Sequence, residues 1–137
     1  MKENGQVLIL GCGRLTESLI PGLIQTGYRV TVISEDRERL ETVSNFPGLE
    51  TVFVAAPVLQ DFLRQGDIGH ADVFLALSGD DHLNALTAQI AIHTHEVPRV
   101  VCRLENPHLQ QLYSGLGMKV VGSLTRMTQD IQQTIEP

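Results

Sequence analysis

The sequence predicts an α/β protein with a doubly wound, six-stranded parallel sheet and helices on both faces. Three observations predict it. Short apolar runs alternate with helical patterns, one strand–helix pair about every 25 residues. The runs are rich in Val, Ile and Leu, as strands buried within a parallel sheet are. The first of them closes on Gly11-Cys12-Gly13 and opens directly into a helix.

The first strand is Gln6–Leu10, QVLIL. A helix follows over Arg14–Thr26, with Gly27 as its stop. Pro21 lies inside it and removes one helical hydrogen bond, so a kink or a short first helix is expected there. Tyr28–Ser34 is β-branched and apolar, the second strand. Asp36 is placed to cap the helix RERLETV, and NFPG is a turn. Leu49–Ala56 reads as the third strand and Pro57–Gln65 as a short helix. Asp72–Ser78 is the fourth strand, apolar enough to be covered on both faces. GDDHLNALTAQIAIHTH starts with acids, favoured at a helix N-terminus, and continues as a long helix. Its face with Leu83, Leu86 and Ile90 is either core or a dimer surface. Arg99–Leu104 is the fifth strand, and Asn106-Pro107 begins a helix that ends near Gly115. MKVVG is the sixth strand, and LTRMTQDIQQTI a last helix, polar on much of its surface. Tyr113, Met118 and Met127 are expected to pack, and the five histidines to lie at the surface.

With 137 residues the chain suits one domain, residues 1–137. A net charge of -6 and scattered Lys and Arg argue against a nucleic-acid partner, because phosphate backbones select for clustered cations. No window reaches the roughly 20 apolar residues of a membrane span. Cys12 and Cys102 form no C-x-x-C, which fits two free thiols in a reducing cytosol. His93 and His95 are two apart on a helix and do not face each other, so no metal site is expected.

Gly11 allows a tight turn after the first strand, and Gly13 lets backbone approach a pyrophosphate at the next helix N-terminus. The third glycine of that pattern is replaced by Thr16. Arg14 is either a phosphate partner or a solvated first-turn residue, and Cys12 is a small packed residue. The acid that would bind a ribose at the end of the second strand is replaced by Ser34, followed by Glu35 and Asp36. No residue stands out as a general base or an activated nucleophile.

GCGRL, VTVISEDRERL and above all ADVFLALSGDDHLNALTAQIA resemble the N-terminal, TrkA-N-like domain of the RCK family. These are the regulators of potassium conductance, also called KTN or Trk-type potassium-uptake regulatory domains. S-G-D-D-x-x-N after the fourth strand is the most specific part, and CRLENPHLQQLYSGLG resembles a later helix of the family. The resemblance runs from about Gln6 to Ile131. It implies a Rossmann fold that dimerises or builds larger rings. It implies a cytoplasmic location at the inner face of the membrane, reached through a potassium channel or transporter subunit and not by direct insertion. It implies a sensor of NAD(H), ATP, ADP or AMP that gates transport without catalysing a reaction.

Carried over by position, the binding residues are Gly11, Cys12, Gly13, Arg14, Leu15 and Thr16 at the turn. Ser34, Glu35 and Ala56 follow at the next two strand ends. Ser78, Asp81 and Asn84 stand past the fourth strand, with Arg103 beyond. The family's Gly-Asp at the end of the third strand reads Ala55-Ala56, so both carboxylates expected around the adenosine are absent. Two charged hydrogen bonds lost amount to roughly 3–6 kcal/mol, a hundredfold and more in affinity. The expectation is therefore a regulatory domain whose nucleotide site is weakened or altered. The alternatives are a ligand-free assembly scaffold of the same fold, or a fragment of an NAD-dependent oxidoreductase.

Overall fold

The computed structural model describes residues 5–54 and 63–137. Six strands form one all-parallel sheet in the order β3-β2-β1-β4-β5-β6. They are β1 (Gly5–Leu10), β2 (Tyr28–Ser34), β3 (Leu49–Phe53), β4 (Val73–Ala76), β5 (Arg99–Arg103) and β6 (Lys119–Val121). The helices are α1 (Arg14–Gln25), α2 (Arg37–Val43), α3 (Asp81–His93), α4 (Pro107–Gly115) and α5 (Ser123–Ile135). This is the Rossmann-like architecture expected.

Alternation along the strands divides the interior in two. Leu8 and Leu10 of β1, with Phe74, Ala76 and Cys102, pack on one face against Ala85, Ala88 and Ala91 of α3. Small side chains at i, i+3 and i+6 bring that helix close to the sheet. Val7 and Ile9, with Val30 and Val32, pack on the other face against Ile20 of α1 and Leu40 and Val43 of α2. Ile9, Val32 and Phe74 are wholly buried; each such side chain contributes about 1.5–3 kcal/mol by leaving water.

Several expectations change. α1 does not stop at Pro21 but continues to Gln25. Leu19 and Ile20 before the proline and Leu23 and Ile24 after it all join the same apolar cluster, so packing on both sides carries the helix through. β3 ends at Phe53, although the Val54 N–H still donates to the Ser34 carbonyl. Ala55, Ala56 and most of the expected helix Pro57–Gln65 lie outside the described residues; 63–65 are helical. β4 spans only four residues, because the chain turns at Leu77 after its N–H meets the Leu10 carbonyl.

The expectation that β4 is covered on both faces also fails. Phe74 and Ala76 are buried beneath α3, but Val73 and Leu75 on the opposite face are only partly covered. α1 and α2 pack over β1, β2 and β3, which, among the described residues, leaves β4 half covered and β5 and β6 open on that side. The result is an apolar groove of about 800 Å³, lined among others by Leu15, Leu19, Leu75, Val101 and Val121. Helix α5 borders it through Ser123, Arg126 and Gln129. Met127 does not pack: Leu124, Met127, Ile131 and Ile135, at helical spacing, are each more than half exposed. Tyr113 and Met118 do pack against the core, and Leu86 stands out at 48% exposed between the half-buried Leu83 and Ile90.

Candidate functional site

The strand order reverses between β1 and β4, and ligands of open α/β sheets bind at such a switch point, beyond the carboxyl ends of the strands. A cleft of about 680 Å³ opens there. A smaller polar hollow of about 200 Å³ beside Gln6, Arg29 and Asp67 lies at the opposite ends of the strands.

Gly11 and Gly13 have different reasons to be glycine. Gly11 has φ +100°, and a Cβ there would stand 2.7 Å from the Ser78 Cα. Both the conformation and the approach of the loop after β4 require glycine. Gly13 has φ -90° in extended backbone, and a Cβ there would meet nothing within 4 Å. Nothing inside the described fold demands glycine at 13; its open side faces the cleft.

Thr16, in place of the third glycine, is wholly buried, and its hydroxyl donates to the Gly11 carbonyl at 2.7 Å. It closes the turn from within and does not line the cleft. Leu15 points to the apolar groove instead. The N-terminus of α1 has no side-chain cap, whereas Asp36, Asp80 and Asn106 cap α2, α3 and α4. The N–H groups that open α1 are thus left to whatever enters the cleft.

Cys12, Arg14, Ser34, Glu35, Ser78 and Arg103 join Gly11 and Gly13 in the cleft lining. Arg14 is exposed and makes no ion pair among the described residues. Ser34 is 7% exposed and its hydroxyl accepts the Asp36 N–H, so a short neutral group stands where a carboxylate was expected. Burial pushes the Cys12 thiol above its ordinary pKa, with nearby Arg39 opposing, and Cys102 is pushed up to about 12 by burial and by Asp81. Neither buried thiol is a ready nucleophile at neutral pH.

Two expected lining residues serve elsewhere. Asn84 is wholly buried. Its Oδ1 accepts from the Ser78 N–H (3.0 Å) and hydroxyl (2.6 Å), and its Nδ2 donates to the carbonyls of Ser78 and Arg103 (2.9 Å each). It pins the loop after β4 to the end of β5. The Asp81 carboxylate accepts the N–H groups of Glu105 (3.0 Å) and Asn106 (2.9 Å), shaping the turn into α4. Ala56 lies outside the described residues.

Two participants escaped the sequence. Arg39 lines the cleft, donates from Nε to the Cys12 carbonyl (3.0 Å) and pairs through Nη2 with Glu17 (2.8 Å). Its place in the first turn of the helix after β2, beside the expected ribose site, was the available signal. Glu105 pairs with Arg103 at 3.1 Å and accepts from the Ser123 N–H (3.1 Å), the Ser123 hydroxyl (2.9 Å) and the Leu124 N–H (3.3 Å). Burial alone would raise its pKa, but the bonds from Ser123, Arg103 and Leu124 together lower it to about 2. No local pattern announces that pairing, because it joins residues 18 apart across two strand ends.

Among the described residues no cluster of three His, Cys, Asp or Glu side chains is placed to hold a metal ion, and no helix is long and apolar enough to cross a membrane.

Comparison with known proteins identifies relatives of this fold. A Trk system potassium uptake protein TrkA of Streptomyces coelicolor is 32% identical over 125 residues, covering 90% of this chain and 55% of that protein. A TrkA homolog of Methanothermobacter thermautotrophicus is 29% identical over 123 residues, covering 88% and 55%. The chain therefore spans about half the length of these relatives. Among solved structures, the TrkA-N domain of the inner membrane protein ybaL from Escherichia coli superposes with a TM-score of 0.80 at 16% identity, over 96% of this chain and 97% of that one. The AMP-bound Kef CTD of Shewanella denitrificans gives 0.73 at 16% identity, over 92% and 76%. The NAD-bound GsuK channel gives 0.69 at 20%, over 88% and 22%. Residues 7–124 match the TrkA-N domain, and the chain belongs to the TrkA-N family.

Proposed function

We propose that this chain is a nucleotide-sensing regulatory domain of a potassium-transport system, acting on a channel or transporter subunit at the cytoplasmic face of the membrane and catalysing no reaction itself. The observation that carries the reading is the cleft at the β1–β4 switch point. There an uncapped helix N-terminus, an unhindered Gly13 and Arg14, which makes no ion pair among the described residues, converge. An anion placed there receives backbone N–H groups, the positive end of α1 and a guanidinium. The ligand class is NAD(H) or an adenine nucleotide, ATP, ADP or AMP. The NAD-bound GsuK channel and the AMP-bound Kef CTD share the fold and support that class. Ser34 offers the ribose a weaker partner than a carboxylate, so affinity rests chiefly on the phosphates.

The protein works as a homodimer or a larger ring in this reading. The exposed face of α5 and the open face of β4–β6 are the apolar surfaces that assembly would cover. That same observation favours a second reading, a scaffold that assembles without ligand. Thermal shift with NAD⁺, NADH, ATP, ADP and AMP separates the two. A ligand at a hundred times its Kd adds about 2.7 kcal/mol, or several degrees for a domain of this size. A cooperative melt that no nucleotide moves, from a protein that light scattering finds oligomeric, establishes the scaffold and ends the sensor.

A further inference from the structure

Helix α5 holds on to the rest of the molecule by one end. Every described side chain from Ser123 to Ile135 is exposed. Gly122, at its N-cap, supplies no side-chain cap. The cap comes instead from Glu105, which accepts from Ser123 and Leu124 and thereby fixes where the helix leaves β6. The Glu105 carboxylate also pairs with Arg103, and Arg103 lines both the cleft and the apolar groove beside α5. Its backbone is pinned, since its carbonyl accepts from the buried Asn84. Its side chain is about a third exposed and is free to exchange one partner for another.

We propose that Arg103 couples the cleft to the last helix: a phosphate entering the cleft draws the guanidinium from Glu105, and the loosened cap frees α5 to change its orientation. This deepens the nucleotide reading and rests on it for the ligand. The chemistry favours the exchange, because a phosphate offers several charged oxygens in a geometry that suits a guanidinium. Glu105 is about one-third exposed, so water takes the side that Arg103 leaves and no unpaired buried charge results, while the carboxylate is no longer held in place over the Ser123 and Leu124 N–H groups. Among the described residues Arg103 is the one cation lining both spaces, so an anion in the cleft reaches α5 through it without moving the sheet. Arg103 and Glu105 are positioning residues for α5, whose apolar stripe belongs to assembly.

Amide hydrogen exchange tests this on the whole chain with AMP as the probe, in the native protein, Arg103→Gln, Arg103→Lys and Glu105→Gln. AMP is expected to slow exchange at Gly13–Thr16 and to speed it several-fold at Ser123–Met127. In Arg103→Gln the α5 response disappears, exchange there is already fast without AMP, and the turn still protects. Glu105→Gln, with the guanidinium released, binds AMP roughly 2–5-fold more tightly. Protection at Gly13–Thr16 with no change at α5 overturns the coupling and leaves the nucleotide reading standing. If AMP protects nothing, the nucleotide reading fails instead. The link is then judged without ligand: unchanged exchange at Ser123–Met127 in both Arg103 variants overturns it.

Discussion

Replacing Gly13 by alanine separates a residue kept for the fold from one kept for a ligand. At φ -90° in extended backbone, alanine is unstrained, and its Cβ meets no atom within 4 Å. A Gly→Ala change at such a position stabilises by about 0.4–1 kcal/mol, because the unfolded chain loses freedom. For a domain of this size that raises Tm by about 1–4 °C. The same methyl group stands where a phosphate would meet the backbone. Losing one charge-assisted hydrogen bond costs about 1.5–3 kcal/mol, or roughly 10- to 150-fold in Kd. Gly11→Ala is the control in the opposite sense. It places a Cβ 2.7 Å from the Ser78 Cα at φ +100°, and strain of this kind destabilises by about 1–3 kcal/mol before the clash is counted. Thermal melts of the ligand-free proteins and calorimetric titration with AMP and NAD⁺ measure both effects. A Gly13→Ala protein that binds as tightly as the native one refutes the reasoning, since the open side of Gly13 would then face nothing that matters. So does one that melts several degrees lower.

Three further outcomes follow from the same geometry. Asn84→Ala leaves the Ser78 N–H and two carbonyls without their buried partner, and denaturant titration should find a loss of about 3 kcal/mol. Glu105 has a folded pKa of about 2, below its ordinary 4.5; its contribution is therefore complete above about pH 5 and lost as pH falls towards 2. Discounted for solvent at a side chain one-third exposed, that contribution is on the order of 1–2 kcal/mol, and Glu105→Gln should flatten the acid limb of stability accordingly. Met127→Glu with Ile131→Glu places charges on the exposed stripe of α5; light scattering should show weaker self-association while the melting temperature of the monomer is unchanged.

Most of the fold was legible because local patterns and burial agree. The strand β1, with Val7 and Ile9 to one face and Leu8 and Leu10 to the other, is apolar from Val7 to Leu10 because both sides are covered there. β4 shows where that inference reaches its limit. Its sequence is as apolar as that of β1, yet Val73 and Leu75 look onto an open groove, since periodicity reports that a face avoids water and not which molecule covers it. The stripe of α5 was missed for the same reason: four apolar residues among Thr, Gln, Arg and Asp read as a mostly polar helix until their spacing is placed on one side. That Gly11, Gly13 and Arg14 stand at the turn after β1, beside the cleft, was legible from local order along the chain. Asn84 and Asp81 were assigned to the crevice by position alone, whereas their side chains turn inward to join loops that are distant in sequence. The Arg103–Glu105–Ser123 connection is likewise tertiary.

In the proposed mode of binding, the turn after β1 and the loop after β4 grip a nucleotide together. Backbone amide shifts recorded while AMP is titrated into the isotope-labelled protein test it most directly. The largest and saturable changes are expected on Gly11–Thr16 and Ser78–Asp80, the two segments that meet at the switch point. Saturable changes confined to the hollow beside Gln6 and Asp67, or no change at millimolar AMP, NAD⁺ or ATP, would contradict it.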